Sequence, residues 1–266
     1  MGHAESSSVG PDATAARELY RLRCGYYDLQ LAPYDVIRQC AVERLRLQPG
    51  QVVLDLGCGT GMSLDLLQRA VGPGGRVIGV DQSPEMISLA RQRVQRQGWT
   101  QVELICAPIE RAQLPPSADA ALFHFTHDIL QTPVALDHVL AHLRPGARIV
   151  AAGLKWTSPL YAGLNSLVWW NALQSVTTFD GLDAPWAPLA RRGIEFELES
   201  FLWGTLYLAS GRLPQPVVQP GATSGLMQQL DQFDHRLDTH LVEDPGPMHL
   251  DRPDTDLQLV RDQLVG

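Results

Sequence analysis

A chain of 266 residues, 45% of them hydrophobic, can bury the core of one large α/β domain with additions, or of two small domains at most. Its formal net charge of −8 argues against a nucleic-acid backbone as main partner. Its four cysteines, Cys24, Cys40, Cys58 and Cys106, contain no C-x-x-C pair, which argues against a disulfide framework or a zinc site.

Residues 1–11 are small and polar and read as disordered. They show no basic-plus-apolar leader pattern, and no apolar run in the chain reaches the ~20 residues of a membrane span, so a cytoplasmic protein without an integral membrane segment is expected. Two helical stretches follow, 12–24 and 34–47, the second with Val36, Ile37, Cys40, Ala41 and Leu45 at helical spacing and a stop at Pro49-Gly50. A regular alternation then begins: a strand over 51–56, a helix over 60–71, and a strand over 76–80. Ser83 as N-cap and Pro84 at the first helical position start a helix that Gly98 ends. Strands over 102–106 and 120–125, a helix over 133–143 and a strand over 148–153 continue the pattern. Such alternation implies right-handed crossovers and a parallel sheet with helices on both faces. Residues 193–202 and 203–209 read as two closely joined, antiparallel strands. Between them and the preceding strand, 156–192 form an insertion rich in Trp, Tyr, Leu and Asn.

The predicted organisation is a leading segment and lid helix over 1–33, a ligand-binding domain over 34–212, and a tail over 213–266. From residue 214 on, nine acids face three arginines, so the tail is acidic; one short helix over 226–240 is its only expected element, and the segment reads as mobile or loosely docked.

The first strand runs through Asp55-Leu56 into Gly57-Cys58-Gly59-Thr60-Gly61. Glycines at the carboxyl end of a first strand allow a tight turn and close approach of a ligand. Met62 stands where a dinucleotide fingerprint has its third small residue. Asp55, two residues before the first glycine, suits a cationic amino-acid group better than a pyrophosphate. Asp81, at the end of the second strand, can accept both hydroxyls of a ribose. A plain strand–helix turn and a nicotinamide site are the competing readings of the same loop.

The segment VVLDLGCGTG followed by VIGVDQSPEM, with LRPGARIVAAG later, resembles class I S-adenosylmethionine (SAM)-dependent methyltransferases over about residues 34–212. More narrowly it is similar to bacterial small-molecule and lipid-amine methyltransferases with a Tyr-bearing N-terminal lid. The resemblance implies a Rossmann-like α/β fold. Its sheet has seven mostly parallel strands and an antiparallel last strand, with helices on both faces and a helical lid. It assigns the cofactor SAM to Tyr26, Asp55, Gly57, Cys58, Gly59, Gly61, Asp81, Gln82, Met86, Pro108, Ile109, His124 and Phe125. Pro108 stands where the family often has an Asp for the adenine amino group. Ile109 is expected against the adenine face, and Glu110 is either a replacement acid or a solvated helix start.

The strand Leu122–Phe125 leads into Thr126-His127-Asp128, expected near the transferred methyl. His127, Asp128 and Tyr27 are the catalytic candidates, the first two as bases toward a phenol or ammonium acceptor. Tyr26, Tyr27 and Tyr34 are candidates for closing over the cofactor, against a plain packing role. His138 and His142 read as surface residues, and no His-Glu-x-x-His or comparable metal spacing occurs. Aromatics of the insertion read either as a substrate box or as the lid's own core. Three functions fit: methyl transfer to a small molecule, cyclisation of SAM to an azetidine amino acid with release of methylthioadenosine, and non-catalytic SAM binding with the acidic tail as partner segment.

Overall fold

The computed structural model describes residues 34–172 and 177–215. The expected lid helix with Tyr26 and Tyr27, and the acidic segment from 216 onward with its expected helix, lie outside the described residues.

The chain forms α1 (Asp35–Leu45), β1 (Val52–Leu56), α2 (Leu64–Val71), β2 (Arg76–Asp81), α3 (Pro84–Gln97), β3 (Val102–Cys106) and β4 (Ala118–His124). Then follow α4 (His127–Leu130), α5 (Pro133–Ala141), β5 (Leu143–Leu154), α6 (Ala162–Ala172), α7 (Ala187–Ala190), β6 (Phe196–Phe201) and β7 (Leu206–Arg212). One seven-stranded sheet takes the order β3-β2-β1-β4-β5-β7-β6. Strands β3 to β5 are parallel neighbours, and β7 runs antiparallel to both β5 and β6. The order reverses at β1, where a doubly wound sheet opens a crevice at its carboxyl edge.

The strands read as continuous apolar runs because both faces are covered. On one face Val53, Val77, Leu122 and Val150 pack against Ile37, Ala41 and Leu45 of α1 and Leu64, Leu67 and Val71 of α2. On the other, Leu54, Leu56, Ile78, Val80, Phe123 and Ile149 pack with Leu136 and Val139 of α5. The period of two along a strand then fixes three polar side chains. Asp55 shares a face with Val53, Asp81 with Val77, and His124 with Leu122. All three therefore stand on the α1 side of the sheet, at its carboxyl edge.

Element ends follow their local chemistry. Ser83 Oγ accepts the Met86 N–H at 3.3 Å with Pro84 in the first turn, and Gly98 takes a left-handed conformation at the C-cap. α2 begins later than the residue spacing predicts, because Thr60–Ser63 are used in the turn, with the Gly61 N–H bonded to the Cys58 carbonyl. β5 begins earlier, at Leu143, and reaches its regular register past an irregularity opposite Ala118–Ala120. The β6–β7 connection also differs: Trp203, expected in a strand, sits in a turn with Leu202 and Gly204, all three at positive φ. His138 and His142, expected at the surface, are half-buried and adjacent, with ring centroids 4.5 Å apart. Each ring bonds a main-chain carbonyl, of Ala112 and His138 respectively.

Replacing Ser83 by Ala removes the buried cap at the start of α3. It is expected to lower stability by about 1 kcal/mol, read as a reduced midpoint in urea with an unchanged slope.

Candidate functional site

Glycines allow the turn after β1 because its backbone enters a region other residues avoid. Gly57, Gly59 and Gly61 have φ of 73°, 55° and 81°. A Cβ on Gly57 would stand 2.4 Å from Thr126 Cγ2, so the turn also lies close against the chain leaving β4. The Gly57 and Cys58 N–H groups both donate to the Val80 carbonyl, at 2.8 and 3.0 Å. The Asp81 carboxylate completes the tie: one oxygen accepts the Gly59 N–H at 2.9 Å, the other the Ser83 N–H at 2.8 Å. Burial raises the Asp81 pKa while these N–H groups pull it back.

A cleft of about 360 Å³, partly open to solvent, lies above this turn, lined by Arg38, Asp55, Gly57, Cys58, Gly59, Thr60, Met62, Ser63, His124 and Phe125. Sequence reasoning missed Arg38. It comes from α1, is 4% exposed, and bonds Asp35 and the Met62 sulfur. A signal was present: Arg38 stands three, four and seven residues before Ala41, Val42 and Leu45, on the helix's buried stripe.

Among the described residues, three side-chain atoms in this cleft are buried without a hydrogen-bond partner: Arg38 Nε, Asp55 Oδ2 and His124 Nε2. Native proteins seldom leave such groups unsatisfied, and those that remain mark a place for something else. Burial pushes Asp55 up to about 7, with Asp81 adding to the rise and the Arg38 guanidinium opposing it. Burial, and then Arg38, bring His124 down to about 3, so its ring is neutral at physiological pH. Burial and the two neighbouring carboxylates hold the Cys58 thiol well above its ordinary range, so it stays protonated.

Phe125 takes a left-handed φ of 58°, uncommon for an aromatic residue. Its ring lies 4.8 Å from His124 edge-on and 5.1 Å from Tyr34. Of the three tyrosines considered from sequence, Tyr34 packs against Phe125 but is not itself in the cleft lining; Tyr26 and Tyr27 lie outside the described residues.

The catalytic candidates His127 and Asp128 do not line the cleft. Both fasten the insertion to the start of α4. Asp128 accepts the Thr177 N–H and hydroxyl, the latter at 2.8 Å, and the His127 Nε2–H donates to the Asp180 carbonyl at 3.0 Å. Burial lowers the His127 pKa and raises that of Asp128. Gln82 follows Asp81 on the way to α3, whereas Met86 is buried in that helix and Ile109 in the core beside Val80. With Pro108, these residues lie along the β2 and β3 ends and outside the cleft lining.

Residues 53–146 match the family model of a methyltransferase domain. A protein in a Streptomyces fradiae transposon is 36% identical over 135 residues, 48% of this chain and 38% of its own length. The 2-phytyl-1,4-naphthoquinone methyltransferase of Thermosynechococcus vestitus is 32% identical over 152 residues, 56% of this chain and 65% of its own length. The chain thus spans less than two thirds of either relative. Among solved structures, the N-methyltransferase NodS of Bradyrhizobium japonicum, complexed with S-adenosylhomocysteine (SAH), shares the fold. It has a TM-score of 0.57 at 18% identity, over 75% of this chain and 99% of NodS.

The Gly57→Ala substitution meets both the positive φ and the Thr126 methyl group. An unfolding titration is expected to show a loss of about 1–3 kcal/mol. Adding Thr126→Ser, which removes that methyl, recovers part of the loss in a double-mutant cycle.

Proposed function

We propose, on the premise that residues 53–146 match the model of a methyltransferase domain, that this chain transfers a methyl group from SAM to a small-molecule acceptor. The observation that carries this is the set of unsatisfied atoms in the cleft. A guanidinium and a carboxylate, both buried and each with one atom lacking a partner there, are the complement of a zwitterionic amino-acid group. A phosphate-bearing ligand would meet Asp55 as a repelling charge. In this reading Arg38 receives the methionine carboxylate, Asp55 the ammonium, and Asp81, already fixed by two N–H groups, the ribose hydroxyls. Gly57 and Gly59 bring the main chain close to the ligand, and Phe125, packed against Tyr34, lines the cleft beside His124.

SAM supplies an already activated methyl on a sulfonium. The protein's remaining tasks are to align the acceptor and keep water away. Neutral His124 can accept or donate one hydrogen bond at the cleft without adding charge. His127 and Asp128 serve in this reading as anchors of the insertion, which forms the acceptor side. The quinone named for the Thermosynechococcus relative supports a small, ring-bearing acceptor. Incubation with SAM and an acceptor panel is expected to give SAH only when an acceptor is present. Release of methylthioadenosine from SAM alone would instead indicate cyclisation.

Arg38→Met is expected to weaken SAH binding at least tenfold, about 1.4 kcal/mol, and to leave methylthioadenosine, which has no carboxylate, unaffected. Isothermal calorimetry with the two ligands checks this.

The Asp55 carboxyl, which titrates at about 7, gives a second prediction. Its folded pKa lies above the ordinary value of 3.8, so its ionisation opposes folding as pH rises from about 4 to 7. A bound ammonium draws the same proton off. SAH affinity is therefore expected to rise between about pH 6 and 8, with proton release visible as a buffer-dependent binding heat. Asp55→Asn should raise the thermal midpoint of the ligand-free protein at pH 8 and lower SAH affinity at least tenfold. A flat pH profile for the unsubstituted protein would contradict the role given to Asp55.

A further inference from the structure

Large apolar side chains stand out from the protein where the insertion leaves β5 and where β7 begins. Leu160 is 90% exposed, Trp203 74% and Trp170 61%, with Tyr161, Trp169 and Leu202 about half exposed. They belong to one region. The Trp203 carbonyl accepts the Thr157 hydroxyl at 2.7 Å. Asn165, one helical turn before Trp169, both accepts from and donates to the Thr157 main chain. Because β7 runs antiparallel to β5, its first residue lies beside Leu154, at the same sheet edge as the cleft.

Three features bear on what this face meets. Its charge is sparse: in a chain of net charge −8, residues 156–179 contain neither an acid nor a base, and Lys155 stands at the border. Its residue types are indole and phenol rings with Leu and one Lys, the set that favours the boundary between hydrocarbon and water. Its projection is maintained against strain: Leu202 and Trp203 hold φ of 47° and 54° while their side chains point into solvent. Adjacent pairs of protruding side chains on three segments suit insertion among mobile chains. A protein partner calls for a matched, close-packed surface.

We propose that this face docks on a zwitterionic lipid surface, and that the methyl acceptor is a lipophilic molecule taken from that phase. The second half rests on the methyl-transfer reading; the docking does not. Insertion of Trp170, Trp203 and Leu160 among acyl chains draws the acceptor-side segment to the surface. The acidic body of the chain gains nothing from anionic headgroups.

The test is co-sedimentation of the full chain with phosphatidylcholine vesicles, in low and high salt, beside the variant Leu160→Gln/Trp170→Gln/Trp203→Asn. Asparagine suits the left-handed backbone at 203. The unsubstituted protein is expected to pellet with the vesicles regardless of salt, with indole emission quenched by brominated acyl chains. The variant should partition at least tenfold less while binding SAH as before. Failure of the unsubstituted protein to pellet, or equal pelleting of the variant, overturns the docking. So does a dimer in sedimentation velocity that the variant abolishes, since the face would then belong to a second copy. Loss of SAH binding in both proteins would overturn the methyl-transfer reading and leave the vesicle result to judge the docking alone.

Discussion

The arrangement turns on a carboxylate and a guanidinium placed out of water in the same cleft. Asp55 is buried at the end of β1, and Arg38 is buried at the same edge by α1. Arg38, itself paired with Asp35, offsets part of the cost of burying Asp55. Their compensation is incomplete, because Arg38 Nε and Asp55 Oδ2 still lack partners. The apolar packing of Ile37, Ala41 and Leu45 on the sheet holds α1, and so Arg38, in place. A polar cleft is thus maintained by hydrophobic burial a turn or two away.

The parallel sheet supplies the rest of the site with few special devices. Three adjacent parallel strands end at one edge, and their side chains alternate in step, so Asp55, Asp81 and His124 share a face. The glycine turn then brings main-chain N–H groups to that edge. Asp81 acts on the turn, since its bond to the Gly59 N–H links the loop after β1 to the end of β2.

Much of this was legible beforehand where local chemistry decides. The strand–helix alternation, the Ser83-Pro84 start and the Gly98 stop follow from period and capping. Asp55, Gly57, Gly59 and His124, singled out from their places at strand ends, line the cleft. Arg38 was not singled out, because a guanidinium on a helix reads as solvated. The sequence pattern counted Val36 with the apolar stripe, yet Val36 is exposed and Arg38 buried. Only the facing strands decide between the two. His127 and Asp128 were read as site residues from their position after β4. Their carbonyl and Thr177 partners come from some fifty residues further along, a distance no local pattern reports. The β6–β7 turn was misplaced because the apolar run through Phe201-Leu202-Trp203 hides it, although Gly204 marked it.

The clasp between Asp128 and Thr177 has a bearing on how such a protein can change. The Trp156 N–H bonds the Leu182 carbonyl, so the chain leaves the sheet and returns to it at fixed points. What lies between can be lengthened, shortened or rewritten without moving the glycine turn or the buried charges. A lineage that kept these two fastenings could vary the stretch between them while inheriting the turn and the charged cleft intact.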